Sequence, residues 1–208
     1  MKILIPMAGE GSRFAKEGYT FPKPLIDVRG KPMIQKVVEN LDFVSEYIFL
    51  VRKKHIEQYA GLLDTLNQIT NNSCKIVEVD SLTEGAACTA LLAKEFIDND
   101  EDLLIANSDQ FIEYQRQNFI SMRSMTDVDA IVWTFNAVHP KWSFVKTNAR
   151  GFITEVAEKK PISDIATCGI YWYRKGSDFV KYAEQMIEKD IRAVSYTHLR
   201  AHETVLDL

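Results

Sequence analysis

The chain has 208 residues, 46% of them hydrophobic and 11% aromatic, and a formal net charge of −4. That is enough apolar content for one full core, one domain or one and a fraction, and the acidic balance gives no reason to expect a nucleic-acid partner. Cys74, Cys88 and Cys168 are odd in number and show no C-x-x-C spacing, so neither a disulfide framework nor a zinc knuckle is implied and a reducing, cytoplasmic setting is expected.

Taken in chain order, Lys2–Met7 predicts a buried strand that runs into Ala8-Gly9-Glu10-Gly11-Ser12-Arg13-Phe14. The glycines let backbone approach a ligand and present N–H groups to it, and Arg13 adds a cation. Phe21-Pro22-Lys23-Pro24-Leu25 then holds a Lys between two prolines that restrict its backbone. Further strands are expected over residues 47–51, 75–79, 103–106 and 130–135. They alternate with helices over 33–41, 56–66, 85–96 and 117–125, the mark of βαβ units. Pro32 suits the first turn of the first helix. Past Asn136, residues 143–147, 151–158 and 166–174 read as antiparallel strands, and Ser177 as the cap of a helix reaching about residue 189.

The expected architecture is a three-layer α/β/α Rossmann-like domain with a mostly parallel central sheet, spanning residues 1–193. No stretch approaches the roughly 20 apolar residues of a membrane span, so no membrane partner is expected. The first apolar run is too short for a signal peptide. Residues 194–208 have no place in the pattern. They resemble a stretch that recurs at the ends of unrelated translated metagenomic reads, so a truncated domain with a non-native tail is expected. On that reading His198 and His202, four apart, are not metal ligands.

The glycine turn fits neither common nucleotide loop. A dinucleotide fingerprint needs a third glycine where Phe14 stands, and no Gly-Lys-Ser/Thr occurs for a P-loop. Together with Arg13 and Pro22-Lys23-Pro24, it resembles the G-x-G-x-R and P-K-P signature of the nucleotidyltransferases that join sugar phosphates to nucleotides. Ser12 stands where Thr is commoner in that family. The motifs follow the family's order over residues 1–192.

The resemblance implies transfer of a nucleotidyl group from a nucleoside triphosphate to a sugar 1-phosphate with Mg²⁺, feeding polysaccharide or capsule synthesis. Ala8, Gly9, Gly11 and Ser12 would cradle the nucleotide. Arg13 and Lys23 would be the catalytic cations on the phosphates, and a guanidinium suits bidentate phosphate contact. Asp109 ends the apolar run Leu103-Leu104-Ile105-Ala106, where open α/β sheets place ligands, and corresponds to the family's first metal carboxylate. The alternative for Asp109 is a turn cap. No second metal carboxylate is placed.

Gly85 matches the glycine of the family's base-binding loop, and Ala86 and Ala87 leave room for a base. Ser81 or Thr83 as a plain helix cap is the competing reading. No Gln is present there to read a pyrimidine, so the base is undetermined. Glu158 and Lys159, favoured over Lys160, match the E-K-P segment that holds the sugar and its phosphate. Gly169 matches the family's G-[IL]-Y strand, opening space for the sugar or marking a bulge. Trp133, Trp142 and Trp172 are expected in the core or at its edge, with stacking of Trp142 on a base or sugar the alternative for that residue, and His55 and His139 have no catalytic partner in sequence.

Two rivals remain: a nucleotide-sugar glycosyltransferase, against which Asn107-Ser108-Asp109 lacks the first Asp of an Asp-x-Asp motif, and a non-catalytic nucleotide- or sugar-phosphate-binding module. The sequence does not select the sugar or the oligomeric state, and a homo-oligomer is allowed.

Overall fold

The computed structural model describes residues 1–9 and 23–189, together with the backbone of residues 203–207. Strand β1 (Lys2–Met7) is buried on both faces, as a parallel strand between two helix layers must be. Ile3, Ile5 and Met7 enter one core, while Leu4 enters the other. Strands β2 (Glu46–Arg52), β3 (Cys74–Val79) and β4 (Leu103–Ala106) extend the sheet around it in the order β3-β2-β1-β4, all parallel.

Beyond β4 lies β8 (Ile165–Tyr173), antiparallel both to β4 and to β5 (Ala130–Asn136). Strands β1 to β5 therefore point one way, with β8 inserted against them. Strands β6 (Ser143–Thr147) and β7 (Ile153–Glu158) form a hairpin beside β8. Residues 203–207 add strand β9 (Glu203–Asp207), parallel to β5, so this part of the tail extends the sheet where no element was expected.

Helices α1 (Met33–Leu41), α3 (Leu62–Ile69) and α6 (Arg116–Arg123) cover one face through Ile34, Val37, Leu41, Leu62, Leu66 and Phe119. Helices α4 (Ala86–Leu91), α5 (Lys94–Ile97) and α7 (Gly176–Glu188) cover the other, through Ala87, Ala90, Ile97, Phe179 and Ala183. This is the three-layer arrangement expected. Trp133 and Trp172 are 1% exposed, inside the first core.

The helices depart from expectation in three places. The helix expected over 56–66 is broken into α2 (Lys53–Gln58) and α3 by Gly61, at φ 90°. The one expected over 85–96 breaks near Ala93, whose N–H bonds the Ala90 carbonyl in a tighter turn. Ser177 is not a cap: Lys175 holds the N-cap position without a side-chain bond. The first N–H groups of α7 are met instead by backbone, Gly176 donating to the Glu101 carbonyl at 2.8 Å and Ser177 to that of Asn99 at 3.0 Å. Among the described residues no helix is long and apolar enough to cross a membrane.

Candidate active site

The carboxyl ends of β1, β3 and β4, the start of α4 and the middle of β8 enclose a cavity of about 300 Å³. Its walls are mainly apolar or small, among them Ala8, Gly9, Leu82, Ala87, Ile105 and Phe179. Gly85 is the N-cap of α4, in extended backbone that any residue adopts. Neither Ser81 nor Thr83 caps the helix, which corrects that expectation; Thr83 Oγ1 donates to the Gly85 carbonyl at 3.1 Å, and so does Thr89 Oγ1. Two hydroxyls thus tie the loop to the helix, on a carbonyl at the cavity wall.

A second pocket, about 240 Å³, opens between β6, β7, β8 and the loop after β4. Gln110, Trp142, Ser143, Glu158, Cys168 and Gly169 are among its walls. Ala86, Asn107, Gly169 and Tyr171 line both spaces, so the two are halves of one groove. Gly169 stands where they meet. It has φ +82°, and a Cβ there would fall 2.1 Å from Asn107 Nδ2. The pairing of β5 with β8 shifts register opposite this point, between Val132 and Thr134. Gly169 therefore both marks a bulge and lets Asn107 lie flat at the junction.

The loop after β4 is pinned from α1. Asn40 Nδ2 donates to the Ile112 carbonyl at 2.8 Å, Ile112 N–H returns to Asn40 Oδ1 at 2.9 Å, and the Tyr114 hydroxyl donates to the Leu41 carbonyl at 2.9 Å. Within this loop Asp109 forms a hydrogen-bonded ion pair with the Lys23 ammonium. Two groups 86 positions apart, both expected in the site, thus meet at the sheet's carboxyl edge. In the second pocket Glu158 is 12% exposed, and Lys159 Nζ lies 3.3 Å from its carboxylate. Lys159 takes a left-handed backbone, φ 55°, as β7 ends. Burial pushes the Cys168 thiol up to about 12, so it stands protonated at the pocket wall at neutral pH.

Gly11, Ser12 and Arg13 lie outside the described residues. Asn107 and Gln110 were not legible as functional, and for Trp142 stacking was only the alternative to a place at the core's edge. The signal for Asn107 and Gln110 was their place flanking Asp109 at a strand end. Trp142 gave no local signal. The His139 ring plays a shaping role: its Nδ1 accepts the Lys141 N–H at 3.1 Å in the turn that presents Trp142. Burial, chiefly, lowers the pKa of His55, which packs on Tyr59 away from the groove.

Fold and site together define an α/β domain with an elongated, two-part groove across the carboxyl ends of its parallel strands. The family model described as nucleotidyl transferase matches residues 2–199, and the chain belongs to that family. The bifunctional protein GlmU of Methanocaldococcus jannaschii is 25% identical over 177 residues, 84% of this chain and 40% of that protein. The low-salt glycan biosynthesis nucleotidyltransferase Agl11 of Haloferax volcanii is 25% identical over 176 residues, 82% of this chain and 48% of that protein. The crystal structure of a nucleoside-diphosphate-sugar pyrophosphorylase from Vibrio cholerae RC9 shares the fold, with a TM-score of 0.76 at 23% identity over 99% of this chain and 92% of that one. The chain spans about 40% of the length of the archaeal GlmU proteins it matches first.

Proposed function

We propose that the larger cavity takes the base and ribose of a nucleoside triphosphate, the second pocket takes a sugar 1-phosphate, and the two react at the junction. The carrying observation is that one groove has two differently built halves joined at Asn107 and Gly169. The relatives, a low-salt glycan biosynthesis nucleotidyltransferase among them, support the same reading. An anionic oxygen of the sugar phosphate attacks the α-phosphorus; a new P–O bond forms, the bond to the bridging oxygen breaks, and pyrophosphate leaves. The attacking oxygen carries no proton, so no general base is required. The chain's task is positioning and charge neutralisation.

The small residues of α4 and Gly85 accept the flat base. Lys23 neutralises phosphate charge, and Arg13 is assigned the leaving pyrophosphate. Glu158 accepts hydrogen bonds from sugar hydroxyls, and Lys159 stands beside it for the sugar phosphate. Asp109 fits a Mg²⁺ site of the kind completed by substrate: Mg²⁺ keeps several waters and takes one or two carboxylates plus phosphate oxygens. Among the described residues no group of three or more His, Cys, Asp or Glu is arranged to hold a metal alone. Bound there, the ion would supply charge neutralisation at the reacting phosphates. The Lys23 ammonium pairs with the same carboxylate.

The test is pyrophosphate release from each of ATP, CTP, GTP, UTP and dTTP with a set of aldose 1-phosphates, with Mg²⁺ or with chelator. Release in one combination, dependent on both substrates and on Mg²⁺, is expected. Consumption of a nucleotide sugar without pyrophosphate chemistry would replace this reading with a glycosyltransferase. Nucleotide binding without any product would replace it with a binding module.

A further inference from the structure

Two side chains of the second pocket are built for recognition yet have no part in the chemistry above. Gln110 follows Asp109 on the pinned loop, and its Oε1 is buried without a hydrogen-bond partner among the described residues. A buried amide oxygen in that state is costly unless something arrives to donate to it. Trp142 lies across the same pocket. The other two tryptophans of the chain, Trp133 and Trp172, are sealed in the core, whereas Trp142 is half-buried and faces the opening.

Trp142 is also held firmly. Phe135 packs against it edge to face at 5.0 Å and 89°. The Trp142 backbone N–H donates to the His139 carbonyl at 3.2 Å, and its carbonyl accepts the Lys159 backbone N–H at 2.9 Å. The exposed Lys141 ammonium rests 4.7 Å from the ring centroid, a contact at the surface that an arriving ring can displace. An indole fixed by its neighbours presents flat apolar area with little rotamer entropy left to lose.

We propose that Trp142 and Gln110 are the specificity-determining pair of the acceptor pocket. The C–H face of the aldose ring packs on the indole, while a ring hydroxyl donates to Gln110 Oε1. The inference rests on the reading of this pocket as the sugar-phosphate half, and it names the substrate class. Gln110 Oε1 and the Glu158 carboxylate are both acceptors, and Lys159 is already paired with Glu158, so the pocket favours a neutral polyhydroxy aldose 1-phosphate over a uronic acid 1-phosphate, whose carboxylate would face those acceptors with only the surface Lys141 to meet it. A quaternary-ammonium phosphate could use the indole but would leave Gln110 Oε1 without a donor.

The pair is tested in the intact chain with glucose, mannose, galactose and N-acetylglucosamine 1-phosphates, glucuronic acid 1-phosphate and phosphocholine as probes. Trp142→Ala should raise the KM for the preferred aldose 1-phosphate by about tenfold or more, the scale of losing an aromatic anchor, and leave the KM for the nucleotide within about twofold. Trp142→Phe should recover most of the loss. Gln110→Leu should flatten the preference among the aldose epimers. Intrinsic indole fluorescence gives a readout independent of turnover: the preferred sugar phosphate should change it in the wild type and not in Trp142→Phe, because the remaining tryptophans are in the core. Nucleotide-dependent pyrophosphate release with unchanged sugar KM in both Trp142→Ala and Gln110→Leu would overturn the pair and leave the proposed function standing. Preference for phosphocholine or glucuronic acid 1-phosphate would overturn the neutral-aldose assignment. Absence of turnover with every nucleotide would refute the function instead, and a fluorescence response to sugar phosphate retained in Trp142→Phe would refute the pair even then.

Discussion

Replacing Gly169 by Ala tests the join of the two pockets at its narrowest point. Gly169 adopts φ +82°, which costs a residue with a Cβ roughly 1–3 kcal/mol. The new Cβ would lie 2.1 Å from Asn107 Nδ2 and 2.9 Å from Asn107 Cγ, so the Asn side chain must swing away from the junction. A loss of about 1–3 kcal/mol in a chain of this size lowers Tm by roughly 2–12 °C. The assay is thermal unfolding of the wild type, Gly169→Ala, Asn107→Ala and the double variant. The backbone part of the cost should survive in the Asn107→Ala background, while the steric part should vanish, giving a measurable coupling between the two sites. Gly169→Ala should also weaken both substrates, because Asn107 borders both halves of the groove. A Tm within about 1 °C of wild type would refute the argument. So would an equal loss in both backgrounds, since the contact itself would then be absent.

Asp109→Ala removes the partner of Lys23, but both side chains are more than a quarter exposed, at 28% and 29%, and such a pair contributes about 0–1 kcal/mol. Its Tm should stay close to wild type while Mg²⁺-dependent pyrophosphate release disappears; retained release would remove Asp109 from the metal role. Glu158→Gln should raise the KM for the sugar phosphate by about tenfold, the scale of a lost charge-assisted hydrogen bond, without altering nucleotide-induced stabilisation. A shift in nucleotide affinity alone would place Glu158 in the wrong half. Cys168 predicts a pH effect. Its folded-state pKa is raised from the ordinary 9.0 to about 12 by burial, so its contribution to stability is complete below pH 9 and is lost as pH rises toward 12. Cys168→Val should flatten the decline in Tm across that alkaline window, and an unchanged slope would contradict the assignment. Cys74 and Cys88, both half-buried, should react with iodoacetamide well before the buried Cys168 does, as read by peptide mass spectrometry.

The sheet was legible because its strands carry continuous apolar runs, as strands buried on both faces must. Lys2–Met7 and Leu103–Ala106 fall where the pattern put them. The helix boundaries were less legible for identifiable reasons. Gly61 stops a helix whose apolar spacing runs on, and the start of α7 is satisfied by carbonyls from the loop between α5 and β4, which no local cap signal could reveal. The candidate site divides in the same way. Asp109 stands just past a strand end, where ligands gather in such folds, so position marked it, whereas Gly85 and Gly169 were marked by the resemblance of their segments to the family's motifs. The Lys23–Asp109 pair, the contact of Asn107 with Gly169 and the pocket-facing Trp142 arise only when distant segments are brought together.

The account turns on the larger cavity's being a nucleotide site, and thermal shift of the chain with ATP, CTP, GTP, UTP and dTTP, each with and without Mg²⁺, tests that most directly. One nucleotide at about 100-fold over its Kd should stabilise by roughly 2.7 kcal/mol, about 5–11 °C here, and Ala87→Phe, which fills the cavity wall, should abolish the shift while Glu158→Gln keeps it. No shift with any nucleotide, or a shift undiminished in Ala87→Phe, would contradict the assignment of the cavity and with it the proposed reaction.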